Sequence, residues 1–334
     1  MLKIGLLGVG HLGKIHLNCL SMIDGLFEVV GFFDPDDQHA EEASGRFGVP
    51  RFTDLDRLLD AVDAVDIVTP TISHFELAKK VLLSGKHLFI EKPVTHTVAE
   101  AETLIQLQRE TGLVAQVGHV ERFNPAVLSL NGLSVRPMFI EAHRLSLFNP
   151  RGTDVSVVLD LMIHDLDIVL SMVDSEVVAI HASGVPVVSD TPDICNARLE
   201  FANGCVANLT ASRVSLKQMR KVRLFQKDAY ISLDLLDKQA QVVRLFSDPG
   251  ESSAGNGQLM ELPTPNGKKW ISIEMPAIEQ VNAIKMELES FGQSILHHAP
   301  AKVPLEDGYE ALKLADWINR DLLSRNHLLE KERM

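Results

Sequence analysis

Cysteine is scarce in this chain of 334 residues, with three at Cys19, Cys195 and Cys205. Three thiols cannot build a disulfide framework or a four-cysteine zinc site, and they read as small buried hydrophobes without a chemical role. A basic surplus is missing too. Lys and Arg total 32 against 45 Asp and Glu, a formal charge of −13. So acidic a protein repels phosphate backbones, which argues against general nucleic-acid binding. No apolar run reaches the roughly 18 residues of a membrane span. The opening MLKIGLLGVGHLG has neither the long apolar core nor the cleavage site of a secretory leader, so the expectation is a cytoplasmic protein with no membrane partner. What the chain does have is apolar material, 46% hydrophobic residues, in a length that suits about two domains.

The first 118 residues alternate between two hydrophobic periods. Short apolar runs at Leu2–Leu7, Val29–Phe33, Val65–Thr69, Leu88–Ile90 and Val114–Val117 read as buried strands. Helical spacing fills the gaps at His11–Met22, Asp37–Phe47, His74–Leu83 and Val98–Arg109. Strand–helix alternation with short connections predicts a parallel sheet covered by helices, an α/β Rossmann domain over 1–118. After about residue 120, strands follow one another from Met138 to Phe246. Asn203-Gly204 marks a hairpin in which both turn residues take positive φ. Ser247–Gly267, rich in Gly, Ser and Pro, reads as a long loop, and helices are expected at Pro276–His298 and Glu306–Leu323. The domain over 119–334 is therefore expected to be α+β with a largely antiparallel, open sheet, binding substrate and mediating oligomerisation. Its last helices have the option of packing back on the first domain.

Gly8-Val9-Gly10-His11-Leu12-Gly13 follows the first strand and opens a helix. The first glycine permits the tight turn, the second lets a pyrophosphate approach the backbone, and the third lets helix and strand pack closely. Free N–H groups at the helix start then face the phosphates. A second strand ends in Asp34, at the spacing where an acid meets the adenosine ribose hydroxyls. Asp34-Pro35-Asp36-Asp37 contains no arginine, and three acids disfavour a 2′-phosphate, so NAD is expected rather than NADP.

Glu91-Lys92-Pro93 follows the fourth strand, where ligands of open α/β sheets lie, and Pro93 holds Lys92 in extended backbone. Together with Gly8–Gly13, Asp34, Thr69-Pro70 and His74, this tripeptide resembles the Gfo/Idh/MocA family of NAD(P)-dependent sugar and inositol dehydrogenases. The resemblance runs over essentially the whole chain, including Glu287–Phe291 and Asp307-Gly308. It implies that Lys92 contacts the reacting hydroxyl or carbonyl, that Thr69, Pro70 and His74 line the cofactor with Glu91 beside them, and that the Lys92–Pro93 bond is cis.

On a helix, Asp160, His164, Asp167 and Ser171 would form one polar stripe. A histidine near neutrality accepts a proton, and an acid beside it fixes its tautomer. A capping histidine and an Asp-His-Asp metal site are the competing readings; the thin ligand set argues against a metal. The resemblance favours acid–base work by Asp160 and His164. Gly118–Pro125 with Asp160–Asp167 is further similar to the branch of the family that oxidises the 3-hydroxyl of UDP-N-acetylglucosamine. A diphosphate needs cations or N–H donors, and Arg122, Asn124, Arg144, Arg151 and Arg213 are the candidates. In the implied reaction His164 takes the hydroxyl proton, Asp160 orients it, and Lys92 stabilises the alkoxide as hydride leaves the carbon. The same chemistry on a free sugar or inositol, and an NAD-sensing regulator without catalysis, are the alternatives. The resemblance also implies a homodimer or homotetramer.

Overall fold

A computed structural model describes residues 1–149, 155–248, 258–265 and 267–332. The Cα packing divides the chain into two compact units, Met1–Phe123 with Val281–Lys313 and Asn124–Gln280 with Leu314–Met334. Among the described residues no helix is long and apolar enough to cross a membrane.

The first unit begins β1 (Leu2–Leu7), α1 (His11–Leu20), β2 (Phe27–Phe33), α2 (Asp37–Phe47), α3 (Leu55–Ala61), β3 (Ala64–Ile67), α4 (His74–Leu83), β4 (His87–Glu91), α5 (Val98–Thr111) and β5 (Ala115–Gly118). Its sheet has the order β2-β1-β3-β4-β5, every pair parallel. All four residues of β3 and the last four of β1 are buried, as strands covered on both faces must be. Helix ends follow local chemistry. Asp36 accepts the His39 N–H at the start of α2, and Thr97 with Glu100 forms a reciprocal capping box at α5. The periodicity does not reveal α3, because seven residues are too few to show a period. It starts where the Asp54 side chain accepts the Asp56 N–H.

The second unit contains α6 (Pro125–Leu128), β6 (Phe139–Leu145), a π-helical turn at Val158–Met162, α7 (Ile163–Met172), β7 (Val177–Val185), β8 (Ile194–Phe201), β9 (Val206–Ser212), β10 (Met219–Phe225), β11 (Ala229–Asp234), β12 (Gln239–Phe246), β13 (Gln258–Thr264) and β14 (Gly267–Glu274). These strands form one sheet in the order β13-β14-β12-β11-β10-β6-β9-β8-β7, with β6 and β9 parallel and the other pairs antiparallel. Alternation puts Cys195, Ala197, Leu199 and Phe201 of β8 and Ala207, Leu209 and Ala211 of β9 in the core, while Arg198 and Glu200 pair on the other face. Burial pushes the Cys195 thiol up to about 12, so it behaves as an inert hydrophobe.

Two expectations change here. The stretch read as one loop from Ser247 contains β13, whose Pro263 is tolerated because this strand is the sheet's edge. In the Asn203-Gly204 turn only Gly204 has positive φ, 84°. The Asn203 side chain instead accepts the Cys205 N–H, which stabilises the turn without a left-handed asparagine. The chain closes with α8 (Ala283–Leu296), begun by an Asn282 cap rather than at Pro276, and α9 (Leu305–Glu332). Leu288, Phe291 and Ile295 of α8 join the core of the first unit beside Leu17, Phe27 and Phe89.

Candidate active site

The turn between β1 and α1 is built as its glycines require. Gly8 has φ 90°, and a Cβ there would lie 2.9 Å from the Val68 carbonyl oxygen. A Cβ on Gly13 would lie 2.1 Å from the carbonyl oxygen of Gly8, so only glycine lets the helix start this close to the strand. Around Gly10 the space is open, the nearest atom being 3.9 Å away on His39. A backbone that is crowded behind and clear in front fits a pyrophosphate seated on the helix start. His11 is exposed and Leu12 half-buried at the same turn.

Asp34 lies at the end of β2 and is buried, its carboxylate accepting the N–H groups of Val9 (2.8 Å) and Asp36 (2.9 Å). It is thereby tied to the phosphate turn. Asp36 is spent on capping α2. The acidic run is less bare than its sequence suggests: Arg51 folds back to donate to the Asp34 carbonyl and to pair with Asp37 at 2.7 Å. Neither side-chain contact of Arg51 falls on the Asp34 carboxylate.

Lys92 is half-buried immediately after β4, and the Lys92–Pro93 bond is cis. Thr69 is half-buried and Pro70 exposed in the loop after β3. His74 is buried against this loop's neighbour, the Pro93 segment. It is 1% exposed, with its ring nitrogens 2.8 Å from the Pro93 carbonyl and 2.9 Å from the Thr69 carbonyl. It braces the Thr69 loop against the Lys92–Pro93 segment.

Glu91 is buried at the end of β4. Its carboxylate turns inward, where Oε2 accepts the Lys92 backbone N–H at 3.1 Å and Oε1 lies 3.2 Å from His16 Nε2. His16 Nδ1 in turn lies 2.9 Å from Asp66 on β3, and Glu287 of α8 approaches both His16 and Glu91. The sequence reading misses His16, Asp66 and Glu287 as site residues. Their one local signal is polarity in the wrong place, an acid inside the apolar β3 above all.

Burial would drive His16 neutral, but the charges and hydrogen bonds of Asp66 and Glu91 hold it well above the usual imidazole range. Glu287 shifts upward, through burial first and the charge of Glu91 second. A carboxyl raised in the folded state keeps its proton after the unfolded chain has lost it. Stability then falls as pH climbs from the ordinary glutamate range toward the raised value. Glu287→Gln has no proton to lose. Its stability advantage over the native chain is expected to grow by about 1.4 kcal/mol per pH unit above about pH 5, read by denaturant titration at several pH values. An advantage that does not vary with pH would mean that Glu287 is ionised in the fold.

In the second unit, Asp160 and His164 are both half-buried, but the helix carrying them is not regular. Asp160 sits in the π-helical turn and His164 in the first turn of α7. The wider turn takes Asp160 off the regular α-helical spacing to His164; within α7 Asp167 is buried, and Ser171 donates to the Ile168 carbonyl. π turns recur at functional sites.

The arginine candidates separate. Arg144 is 3% exposed and donates from Nε and Nη2 to the carboxylate of Asp165, so it joins β6 to α7. Arg213 is buried and donates to the Val155 carbonyl. Asn124 caps α6 and donates to the Leu235 carbonyl. Within the first unit Arg122 pairs with Asp307 at 2.8 Å. These four are committed to internal partners. Arg151 lies outside the described residues.

The model of an oxidoreductase family with an NAD-binding Rossmann fold matches residues 2–119, and that of the GFO/IDH/MocA C-terminal domain matches 138–231. The chain is 36% identical over 300 residues, 90% of each protein, to UDP-N-acetylglucosamine 3-dehydrogenase of Acidithiobacillus ferrooxidans. A solved structure of that enzyme superposes with TM-score 0.85 at 34% identity, covering 96% of this chain and 97% of the other. Scyllo-inositol 2-dehydrogenase (NAD(+)) of Bacillus subtilis is 28% identical over 232 residues, 64% of this chain and 68% of that one. Scyllo-inositol dehydrogenase of Lactobacillus casei, solved with bound NAD(H) and scyllo-inositol, shares the fold at TM-score 0.76 and 20% identity, covering 97% and 98%.

Proposed function

We propose that this chain, which belongs to the Gfo/Idh/MocA family of NAD-dependent oxidoreductases acting on CH–OH groups, oxidises the 3-hydroxyl of UDP-N-acetylglucosamine to the 3-ketone. The observation that carries the substrate is 36% identity spread over 90% of both chains, so it spans both units rather than the shared cofactor domain alone. NAD is the cofactor, and the open approach at Gly10 between the crowded Gly8 and Gly13 fits its pyrophosphate. When bound it supplies the hydride acceptor; orientation and proton movement fall to the protein.

In this reading His164 receives the hydroxyl proton, Asp160 orients the imidazole and carries the compensating charge, and the Lys92 ammonium stabilises the developing alkoxide. Asp34 holds the adenosine ribose. A second reading, oxidation of a free sugar or inositol, is favoured by the internal commitments of Arg122, Arg144 and Arg213, since a polyol without a diphosphate needs no cluster of free cations.

NADH formation measured against UDP-N-acetylglucosamine, UDP-glucose, glucose and myo-inositol decides between them. UDP-N-acetylglucosamine is expected to lead in kcat/KM by at least about a hundredfold, since a site that pairs with the diphosphate and acetamido group rejects substrates lacking them. Equal or faster turnover of inositol would overturn the first reading. No turnover of any alcohol, with NAD still bound, would leave a cofactor-sensing protein.

A further inference from the structure

We propose that Glu91 is a positioning residue for Lys92, its carboxylate fixed by a buried cluster of His16, Asp66 and Glu287 and given room by Gly118. The proposal rests on the reading that Lys92 acts on the reacting alcohol. It adds the device that aims Lys92.

Four ionisable side chains meet with almost no solvent: His16, Asp66 and Glu287 are 0% exposed and Glu91 7%. Such burial is costly, and apolar residues of similar volume would hold these elements together at least as well. A purely structural role therefore does not explain the choice of residues. Direction does. The contacts run in one line, from Asp66 on β3 to His16 on α1 at 2.9 Å, from His16 to Glu91 at 3.2 Å, and from Glu91 to the backbone N–H of Lys92 at 3.1 Å. The last bond falls on the peptide group from which the Lys92 side chain departs. It fixes the orientation of the residue and not merely its neighbourhood.

Two further observations agree. A Cβ on Gly118 would lie 2.7 Å from Glu91 Oε1, so any larger residue on β5 would push the carboxylate off this line. His16 also belongs to the helix that opens at the phosphate turn. One rigid element thus refers the cofactor's phosphates and the lysine to the same frame. Asp66 and Glu91 hold His16 up, and burial raises Asp66 and Glu287, shifts that lessen the negative charge gathered here. Ligand atoms of His16, Glu91 and Glu287 lie within 4.8 Å of one another, so a divalent cation is the rival occupant of this space.

The test is a double-mutant cycle on the full chain, assayed with whichever secondary alcohol the native protein oxidises. The outcome then does not depend on the identity of the sugar. Glu91→Gln is expected to lower kcat about tenfold to a hundredfold while KM for NAD stays within about twofold, the signature of a misplaced group. In a Lys92→Ala background the same substitution should change kcat by less than about twofold, because its effect passes through Lys92. Gly118→Ala provides an independent route to the same displacement and the same loss of additivity, and it decides the matter if Glu91→Gln does not fold. Equal factors in both backgrounds would overturn the proposal. So would stoichiometric divalent metal in the purified protein, with activity lost on chelation. If Lys92→Ala itself leaves kcat unchanged, the reading of Lys92 fails instead.

Discussion

Lys92→Ala is expected to lower kcat by at least about a hundredfold while NAD affinity stays within about threefold, measured by steady-state kinetics and by cofactor titration. The ammonium is asked to meet negative charge that develops only as the hydroxyl proton leaves. Its removal therefore weakens the transition state and leaves the bound substrate nearly untouched. In the proposed function cofactor binding falls elsewhere, to the turn Gly8–Gly13 and Asp34, and the carbonyl of Pro93 remains braced by His74 after truncation at 92. On the proposed mechanism His164→Ala should produce a loss of similar size, and the two together should cost much less than the product of the separate factors, because that mechanism has both serve one proton-coupled step. Loss of NAD affinity along with turnover would reassign Lys92 to the cofactor.

The candidate residues that a reader of the sequence can find are those with a local signal. Gly8–Gly13 announces itself because three glycines at the end of an apolar run have few other uses, and the structure gives Gly8 and Gly13 a steric reason while leaving the space at Gly10 open. Asp160 and His164 are four apart on a mostly aliphatic stretch, although nothing in the spacing foretells the π turn that carries Asp160. The edge strand β13 is hidden because its Pro263 and the glycines and serines before it match loop composition. The cluster behind Lys92 is hidden for a different reason. His16, Asp66, Glu91 and Glu287 come from α1, β3, β4 and α8, and only folding brings them together. Arginines are illegible for the same reason: the side chain is identical whether it meets a phosphate or an aspartate.

Arg144 shows what that ambiguity conceals. Arg144→Ala is expected to lower the unfolding free energy by about 3–5 kcal/mol, seen as a reduced denaturant midpoint, because it strands a buried carboxylate without its cation. Both side chains of the Arg144–Asp165 pair are 4% exposed, and the contacts are bidentate at 3.0 and 2.9 Å. The position is an inward one on β6, continuing the alternation of Ile140 and Ala142. A side chain there reaches the core, and the charged one is matched by Asp165 from α7. Replacing both partners, Arg144→Met with Asp165→Leu, should restore most or all of the lost stability, since the desolvation of two charges disappears along with their attraction. A substrate-binding arginine would behave in the opposite way, with KM raised, the midpoint unchanged and nothing recovered by changing Asp165.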